Sequence, residues 1–278
     1  MRHHRKLARL CQAGPVNDLY TDFAADYEWL FSDDVVGSSP VLGATSPGGR
    51  DLVEAAISTL VPGAPVLDCA CGIGADALAL ARRGFKVAAT DGSSSMVARA
   101  GQRLAGYASQ VSVMQSRWED LPTRLTERFD LAICLGNAIV HAGSRPGMVE
   151  SLEAIRSVLK PNGKIVVDSR NWELMYRSWP RIIPASHVKE RRGTRCASLY
   201  IWTIPESFDR PCQAEIVFLF ENQENELSLH RYELSFQPFT HLDLRHAVES
   251  AGFQITGDSF QPTAHSYAIG AVAPAGGA

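Results

Sequence analysis

The segment Asp68-Cys-Ala-Cys-Gly72-Ile-Gly74 ends an apolar run in a carboxylate and opens at once into two glycines before a helix-forming stretch. Glycines in such a turn tolerate left-handed backbone and let a ligand approach the chain closely. Two chemistries use that arrangement. Gly72-x-Gly74-x-x-Ala77 fits the dinucleotide fingerprint, in which a pyrophosphate rests on the helix N-terminus and Asp91 holds a ribose. Asp68 favours the other: a carboxylate beside the turn is poorly placed next to a pyrophosphate and well placed next to an ammonium group. S-adenosylmethionine carries such a group and no phosphate. Asp91 suits a ribose diol in either case, since a carboxylate accepts two hydroxyl hydrogen bonds. Purely structural roles are the third alternative, Asp68 capping a turn and Asp91 capping the helix after Gly92.

The elements that must hold these residues follow from periodicity. From residue 64 onward, short apolar runs alternate with helical segments, the pattern of a parallel α/β sheet. APVLDCA (64–70), FKVAATD (85–91), VSVMQ (111–115), FDLAICLG (129–136) and KIVVDSR (164–170) are the expected strands. ADALALARR, with Gly84 at the C′ position, MVARAGQRLAG behind Ser93–Ser95, and GMVESLEAIRSVLK before Pro161-Asn162-Gly163 are the helices between them. Residues 171–238 break the rhythm: CASLYIWTI, AEIVFLFEN and LSLHRYELSF predict an antiparallel insertion laid over the sheet as a lid. The alternation resumes with helix LDLRHAVESAG (242–252) and strands FQITGDSFQ and SYAIGAVA. The expected organisation is an N-terminal arm (1–50), a Rossmann-like domain (51–170 and 239–273) and the lid (171–238).

VLDCACGIGADALALARRGFKVAATDGSSSM, FDLAICLGNAIVH and IVVDSRNWE together closely resemble the class I S-adenosylmethionine-dependent methyltransferases, most of all the glycine N-methyltransferase and glycine/sarcosine N-methyltransferase group. The resemblance covers residues 18 to 172 well and the last 35 loosely. It implies a donor site lined by Asp68, Ala70, Gly72, Gly74, Asp91 and Gly92, with Arg117 and Trp118 flanking the adenine and Leu135 and His141 closing the pocket. Tyr20-x8-Trp29 is similar to the family's N-terminal aromatic segment, and Arg50 to its arginine on the methionine carboxylate. Asn137 and Arg170 stand where the family holds its amino-acid substrate. The product would be S-adenosyl-L-homocysteine.

Chemistry supports those roles. Methyl transfer from a sulfonium to an amine mainly requires two reactants aligned in a water-poor pocket. Alignment supplies about 7–11 kcal/mol, more than proton abstraction gives. Arg170 can clamp a carboxylate through two parallel hydrogen bonds, Asn137 offers a carbonyl oxygen to the amine, and Tyr20 and Trp29 offer ring faces to the sulfonium. The expected activity is therefore N-methylation of a small carboxylate-bearing amine. O- or C-methylation of another small molecule and a non-enzymatic S-adenosylmethionine-binding regulator are the alternatives, with a nicotinamide-dependent oxidoreductase further off.

Three departures bear on the acceptor. Ser32 stands where the family commonly has another aromatic, PRIIPASHVKERRGTR lacks tyrosines, and AEIVFLFEN ends in Phe220 where a tyrosine is expected. Lost hydroxyl partners weaken discrimination for a very small polar substrate, so an acceptor larger or less polar than glycine is expected. The run Lys189-Glu190-Arg191-Arg192 reads either as a contact to an acidic substrate group or as a solvated loop.

Composition sets the outer bounds. In 278 residues, 45% apolar and 21% charged, 27 Lys+Arg face 30 Asp+Glu, a balance that argues against nucleic acid as partner. No uninterrupted apolar run is long enough to span a bilayer, so no membrane is expected. Six cysteines fit a reducing, cytoplasmic compartment, and Cys69-x-Cys71 has no second pair of zinc spacing, so packing and no metal site is expected. The basic start MRHHRKLARLCQ reads as a tail or as a transit-like segment. Oligomeric state stays open, a homo-oligomer included.

Overall fold

The computed structural model describes residues 20, 22–30, 47–178, 180–184 and 188–275. The basic start, Ser32 and the stretch 38–46 lie outside the described residues.

Helix α1 (Pro47–Ile57) precedes strand β1 (Pro65–Asp68), so it already includes the last residues assigned to the arm. The chain then alternates through α2 (Ala75–Arg82), β2 (Lys86–Asp91), α3 (Ser94–Leu104), β3 (Val111–Gln115), the short α4 (Leu121–Arg124), β4 (Phe129–Cys134), α5 (Arg145–Ser157) and β5 (Leu159–Arg170). Ser93 caps α3 by accepting the Met96 N–H at 3.2 Å, and Gly84 takes φ +86° at the end of α2. β5 begins five residues earlier than the expected strand, with Asn162 at φ +61° near its start. After the lid come α7 (His241–Ser250), β11 (Gln254–Asp258) and β12 (Ser266–Val272). The main sheet has the order β11-β12-β5-β4-β1-β2-β3. Its strands run parallel except β12, antiparallel to both neighbours. β1 therefore lies between β2 and β4, where the strand order reverses, and its C-terminal end is the place where open α/β sheets bind ligands.

The lid is a second sheet of order β10-β9-β8-β6, with the short β7 also on β8. Its strands are β6 (Ile182–Pro184), β7 (Lys189–Arg191), β8 (Thr194–Thr203), β9 (Cys212–Glu221) and β10 (Leu227–Phe236). One helix, α6 (Trp172–Ser178), leads into it. The inner face of this sheet, with Cys196, Trp202, Ile216, Phe218, Leu234 and Phe236, joins the same core as Leu67, Ile165 and Val167 of the main sheet. Both connections are fastened. Asn171 gives Nδ2 to the carbonyls of Gln261 and Ala264 at 3.2 and 3.0 Å and takes the Leu174 N–H on Oδ1. Thr240 and Asp243 form a reciprocal capping box at the return into α7.

Gly74, the N-cap of α2, has φ +80°, and a Cβ there would stand 2.9 Å from Leu104 Cδ1 and 3.2 Å from Ala100 Cβ. Gly74→Ala combines backbone strain with crowding and should cost about 2 kcal/mol, lowering Tm by about 5 °C in thermal denaturation. An unchanged Tm would mean that α3 moves aside freely.

Candidate functional site

The glycine turn leaves β1 at Asp68 and is tied to β2. Gly72, at φ +50°, donates its N–H to Asp91 Oδ2 at 2.8 Å, and the Ser93 N–H donates to Asp91 Oδ1 at 2.9 Å. Asp91 thus organises the turn as well as standing at the end of β2, where a carboxylate suits a ribose diol. Ala70 lies inside the turn, and the Trp118 indole N–H braces it from behind by donating to the Cys69 carbonyl at 2.8 Å. Asp68 is 2% exposed and its Oδ2 has no hydrogen-bond partner. Burial first, then the nearby Asp76 and Asp91, hold its carboxyl well above the usual range; the N–H groups of Ala70 and Ala77 oppose the shift. Three carboxylates therefore crowd one turn. An acidic turn of this kind disfavours a pyrophosphate and suits a cationic ligand.

Arm residues close the turn from the other side. A Cβ at Gly72 would lie 3.9 Å from Tyr27 Cε1, so this ring stands over the turn. Burial first, then Tyr200 and Asp91, push the Tyr27 hydroxyl well above its ordinary range, with Arg170 opposing the shift. Tyr20 Oη and His141 Nε2 are 2.9 Å apart, and the imidazole rests on Phe236 at 5.3 Å. Burial pushes His141 down to about 4, so it is a neutral ring at physiological pH. Tyr20→Phe leaves a buried imidazole nitrogen without its partner. A double-mutant cycle of Tyr20→Phe with His141→Ala should give a coupling of about 1 kcal/mol by denaturant unfolding. Additive effects would show that the bond contributes nothing.

On the far side of the sheet's reversal, Leu135 is buried, and Gly136 and Asn137 take φ +76° and +63°. The Asn137 N–H donates to Asp168 Oδ1 at 2.8 Å, and burial pushes the Asp168 carboxyl up to about 7. The Asn137 side-chain oxygen accepts the Arg170 N–H at 3.0 Å and the Ser169 hydroxyl at 3.3 Å. The oxygen expected to hold a substrate amine is thus engaged with β5. Asn readily adopts the left-handed turn, and from there its short amide reaches the neighbouring strand end.

Arg170 terminates β5, and its guanidinium lies 5.4 Å from the Tyr200 ring centroid and 5.2 Å from that of Trp202. Among the described residues no carboxylate forms an ion pair with it. Glu173, the nearest candidate in sequence, instead accepts the His241 N–H at 2.9 Å. Stacking on two rings fixes the plane of a fork-shaped donor while leaving its edge available.

Four expected residues lie elsewhere or differently. Trp29 packs on Phe220 at 5.5 Å and under Arg191 at 4.9 Å, and its carbonyl accepts Lys189 Nζ at 2.6 Å. It is an anchor between arm and lid. Arg117 is exposed and pairs with Glu119 at 3.3 Å. Arg50 is exposed on the first turn of α1, one turn before Glu54. Gly92 is exposed and gives its carbonyl to Gln115 Nε2 at 3.0 Å. The run 189–192 is solvated only in part: Glu190 and Arg192 are exposed, whereas Lys189 is buried and Arg191 also donates to the Glu28 carbonyl at 3.2 Å. Phe220 belongs to this anchor and not to the surroundings of Arg170. Tyr27, beside the glycine turn, and Tyr200 and Trp202, beside Arg170, are neighbours of the candidate site that the sequence did not point to.

Residues 66–163 match a family model described as a methyltransferase domain. A glycine/sarcosine N-methyltransferase of Aphanothece halophytica is 36% identical over 110 residues, 40% of this chain and 42% of that protein. Another, of Parasynechococcus marenigrum (strain WH8102), is 27% identical over 189 residues, 68% and 62% of the two chains. The chain thus spans less than two thirds of the length of these curated relatives. Among solved structures, the amino pentose methyltransferase CalS10 of Micromonospora echinaspora superposes with TM-score 0.68 at 19% identity, covering 98% of this chain and 100% of that one. The sugar N-methyltransferase KedS8 of Streptoalloteichus superposes with TM-score 0.63 at 21% identity over 99% of each chain. These likenesses establish the fold.

Proposed function

We propose that this chain, whose residues 66–163 match a methyltransferase-domain model, is an S-adenosylmethionine-dependent N-methyltransferase acting on the amine of a small, carboxylate-bearing molecule. The observation that carries it is a single opposition of charges. An acidic turn, with Asp68 Oδ2 buried and without a hydrogen-bond partner, and Arg170, a cation without an ion pair among the described residues and mounted on two rings, both act electrostatically on the same Tyr27. The donor set fits S-adenosylmethionine: Asp68 for its ammonium, Asp91 for its ribose diol, Gly72 and Gly74 for close backbone approach. When bound, it supplies an electrophilic methyl group on a sulfonium.

The chain's own residues then bind, orient and exclude water. Arg170 takes the acceptor carboxylate in its fork; Tyr200 and Trp202 keep that fork from swinging. Asn137 and Asp168 lock the ends of β4 and β5 against each other, which fixes Arg170 at its backbone. Tyr27, whose ring stands over Gly72, helps to keep the donor side of the site dry. Such a site works chiefly by alignment. His141, neutral and bonded to Tyr20, contributes packing and shape.

The relatives named for glycine and sarcosine favour an amino-acid acceptor. The aromatic inner wall of the lid, together with a whole-chain likeness to sugar N-methyltransferases, favours a second reading in which the amine sits on a sugar. A screen of glycine, sarcosine, larger amino acids and amino sugars with methyl-labelled donor, read by mass spectrometry, separates the two. Methylation of amino sugars alone would remove Arg170 from the carboxylate role, and binding of NAD in place of S-adenosylhomocysteine would overturn the whole reading.

A further inference from the structure

The glycine turn after β1 and the Gly136–Asn137 turn after β4 are each held by a carboxylate near the end of a neighbouring strand. Asp91 of β2 takes two N–H groups around the first turn. Asp168 of β5, 3% exposed, does the same for the second: its Oδ1 accepts the Asn137 N–H at 2.8 Å, and the Gly136 N–H bonds the same carboxylate. From this turn the link runs on, because the Asn137 side-chain oxygen accepts the Arg170 N–H at 3.0 Å. Asp168, Asn137 and Arg170 thus close a circuit between the ends of β4 and β5.

We propose that Asp168 is a positioning residue whose ionisation controls acceptor binding: ionised, it holds the Gly136–Asn137 turn and through it Arg170; protonated, it slackens both. The inference rests on Arg170 as the carboxylate clamp of the function proposed above. Its physical basis is reciprocity. The N–H groups of Asn137 and Gly136 favour the ionised carboxylate, so the ionised carboxylate must hold those N–H groups more tightly by the same free energy. Burial is the larger effect and pushes the carboxyl up to about 7, whereas an ordinary aspartate, near about 3.9, stays ionised throughout the neutral range. The charges around it are few. Asp76 of α2 raises the carboxyl and Arg170 lowers it. On the β12 side Ala268 stands opposite, next to Tyr267, whose hydroxyl burial holds well above its ordinary range. On α1, which packs on β5, Arg50 and Asp51 are exposed and Glu54 pairs with Arg83 at 2.6 Å. His141, beyond Asn137 in the same loop, is neutral and bonded to Tyr20.

Amide NMR of the full chain, labelled with nitrogen-15 and titrated from about pH 5.5 to about pH 8.5, reads the circuit without any acceptor. The Gly136, Asn137 and Arg170 resonances should move together with one midpoint near 7, and none of the three should titrate in Asp168→Asn. Kinetics with the best acceptor from the screen read the consequence. The acceptor amine has its own titration, which cancels in the ratio of KM for Asp168→Asn to KM for the wild type. That ratio should be near one at about pH 5.5, where the wild type is protonated, and about tenfold at about pH 8.5, where the variant lacks the charge-assisted bonds, while kcat at saturation changes by less than about twofold. Wild-type resonances that do not titrate overturn the proposal whether or not the variant folds, and so does a KM ratio independent of pH. Failure of the underlying reading looks different: the three amides would titrate while Arg170→Ala left the acceptor KM unchanged, which would overturn the clamp and not the coupling of Asp168 to the turn.

Discussion

Asp68→Asn is expected to weaken S-adenosylhomocysteine binding by about 30-fold to several thousandfold and, at the same time, to raise the Tm of the ligand-free protein. The two signs come from one atom. Removing one partner of a buried, hydrogen-bonded charge pair costs about 2–5 kcal/mol of binding. Without ligand the same carboxylate is a burden, since burial and then Asp76 and Asp91 raise its folded-state pKa. An acid with a raised folded pKa is fully tolerated only when protonated. Its destabilising contribution appears as pH rises past the unfolded value of about 3.9 and is complete above the raised one. At neutral pH the neutral amide lifts it. Titration calorimetry and thermal scans at pH 7.5 read both quantities. A variant that binds normally would reduce Asp68 to a turn cap; one that loses stability along with binding would show that the carboxylate supports the fold.

Arg170→Ala should raise KM for a carboxylate acceptor by about 100-fold while leaving donor affinity within about twofold, the pattern of a lost charge-assisted bidentate contact. Arg170→Lys should recover only part of this, because an ammonium neither forks onto a carboxylate nor stacks on Tyr200 and Trp202 in the same way. Steady-state kinetics with the best acceptor from the screen, beside its methyl ester, checks the assignment: the ester should be a poor substrate for the wild type and an equal one for Arg170→Ala. If donor and acceptor constants move together, Arg170 supports the site's shape and does not touch the acceptor.

The alternating strands and helices, the glycine turn, Asp68 and Asp91 were all readable before any coordinates, because each rests on a local pattern: an apolar run, a turn residue, an acid at a strand end. What escaped depends on distant pairs. Lys189 sits in a charged run that reads as solvated, and its partner is the carbonyl of Trp29, 160 residues away. Tyr200 and Trp202 share one face of a strand, yet nothing in the strand says that Arg170 lies beneath it. Asn137 stands out in the sequence, but which atom it spends on the protein depends on a left-handed turn whose partner is the next strand. The seven-residue helix α6 and the three-residue strands β6 and β7 are too short for periodicity to register.

The lid enters and leaves the main domain through two fastened connections, Asn171 with its carbonyl partners and the Thr240–Asp243 box. A flap hung on loose linkers would have to be ordered each time a ligand arrived, and that lost chain freedom would be subtracted from the affinity. Here the ordering is already complete in the folded chain. Under the proposed function, Tyr200 and Trp202 hold the Arg170 fork in place before an acceptor arrives, so little of the binding energy is spent on ordering that wall.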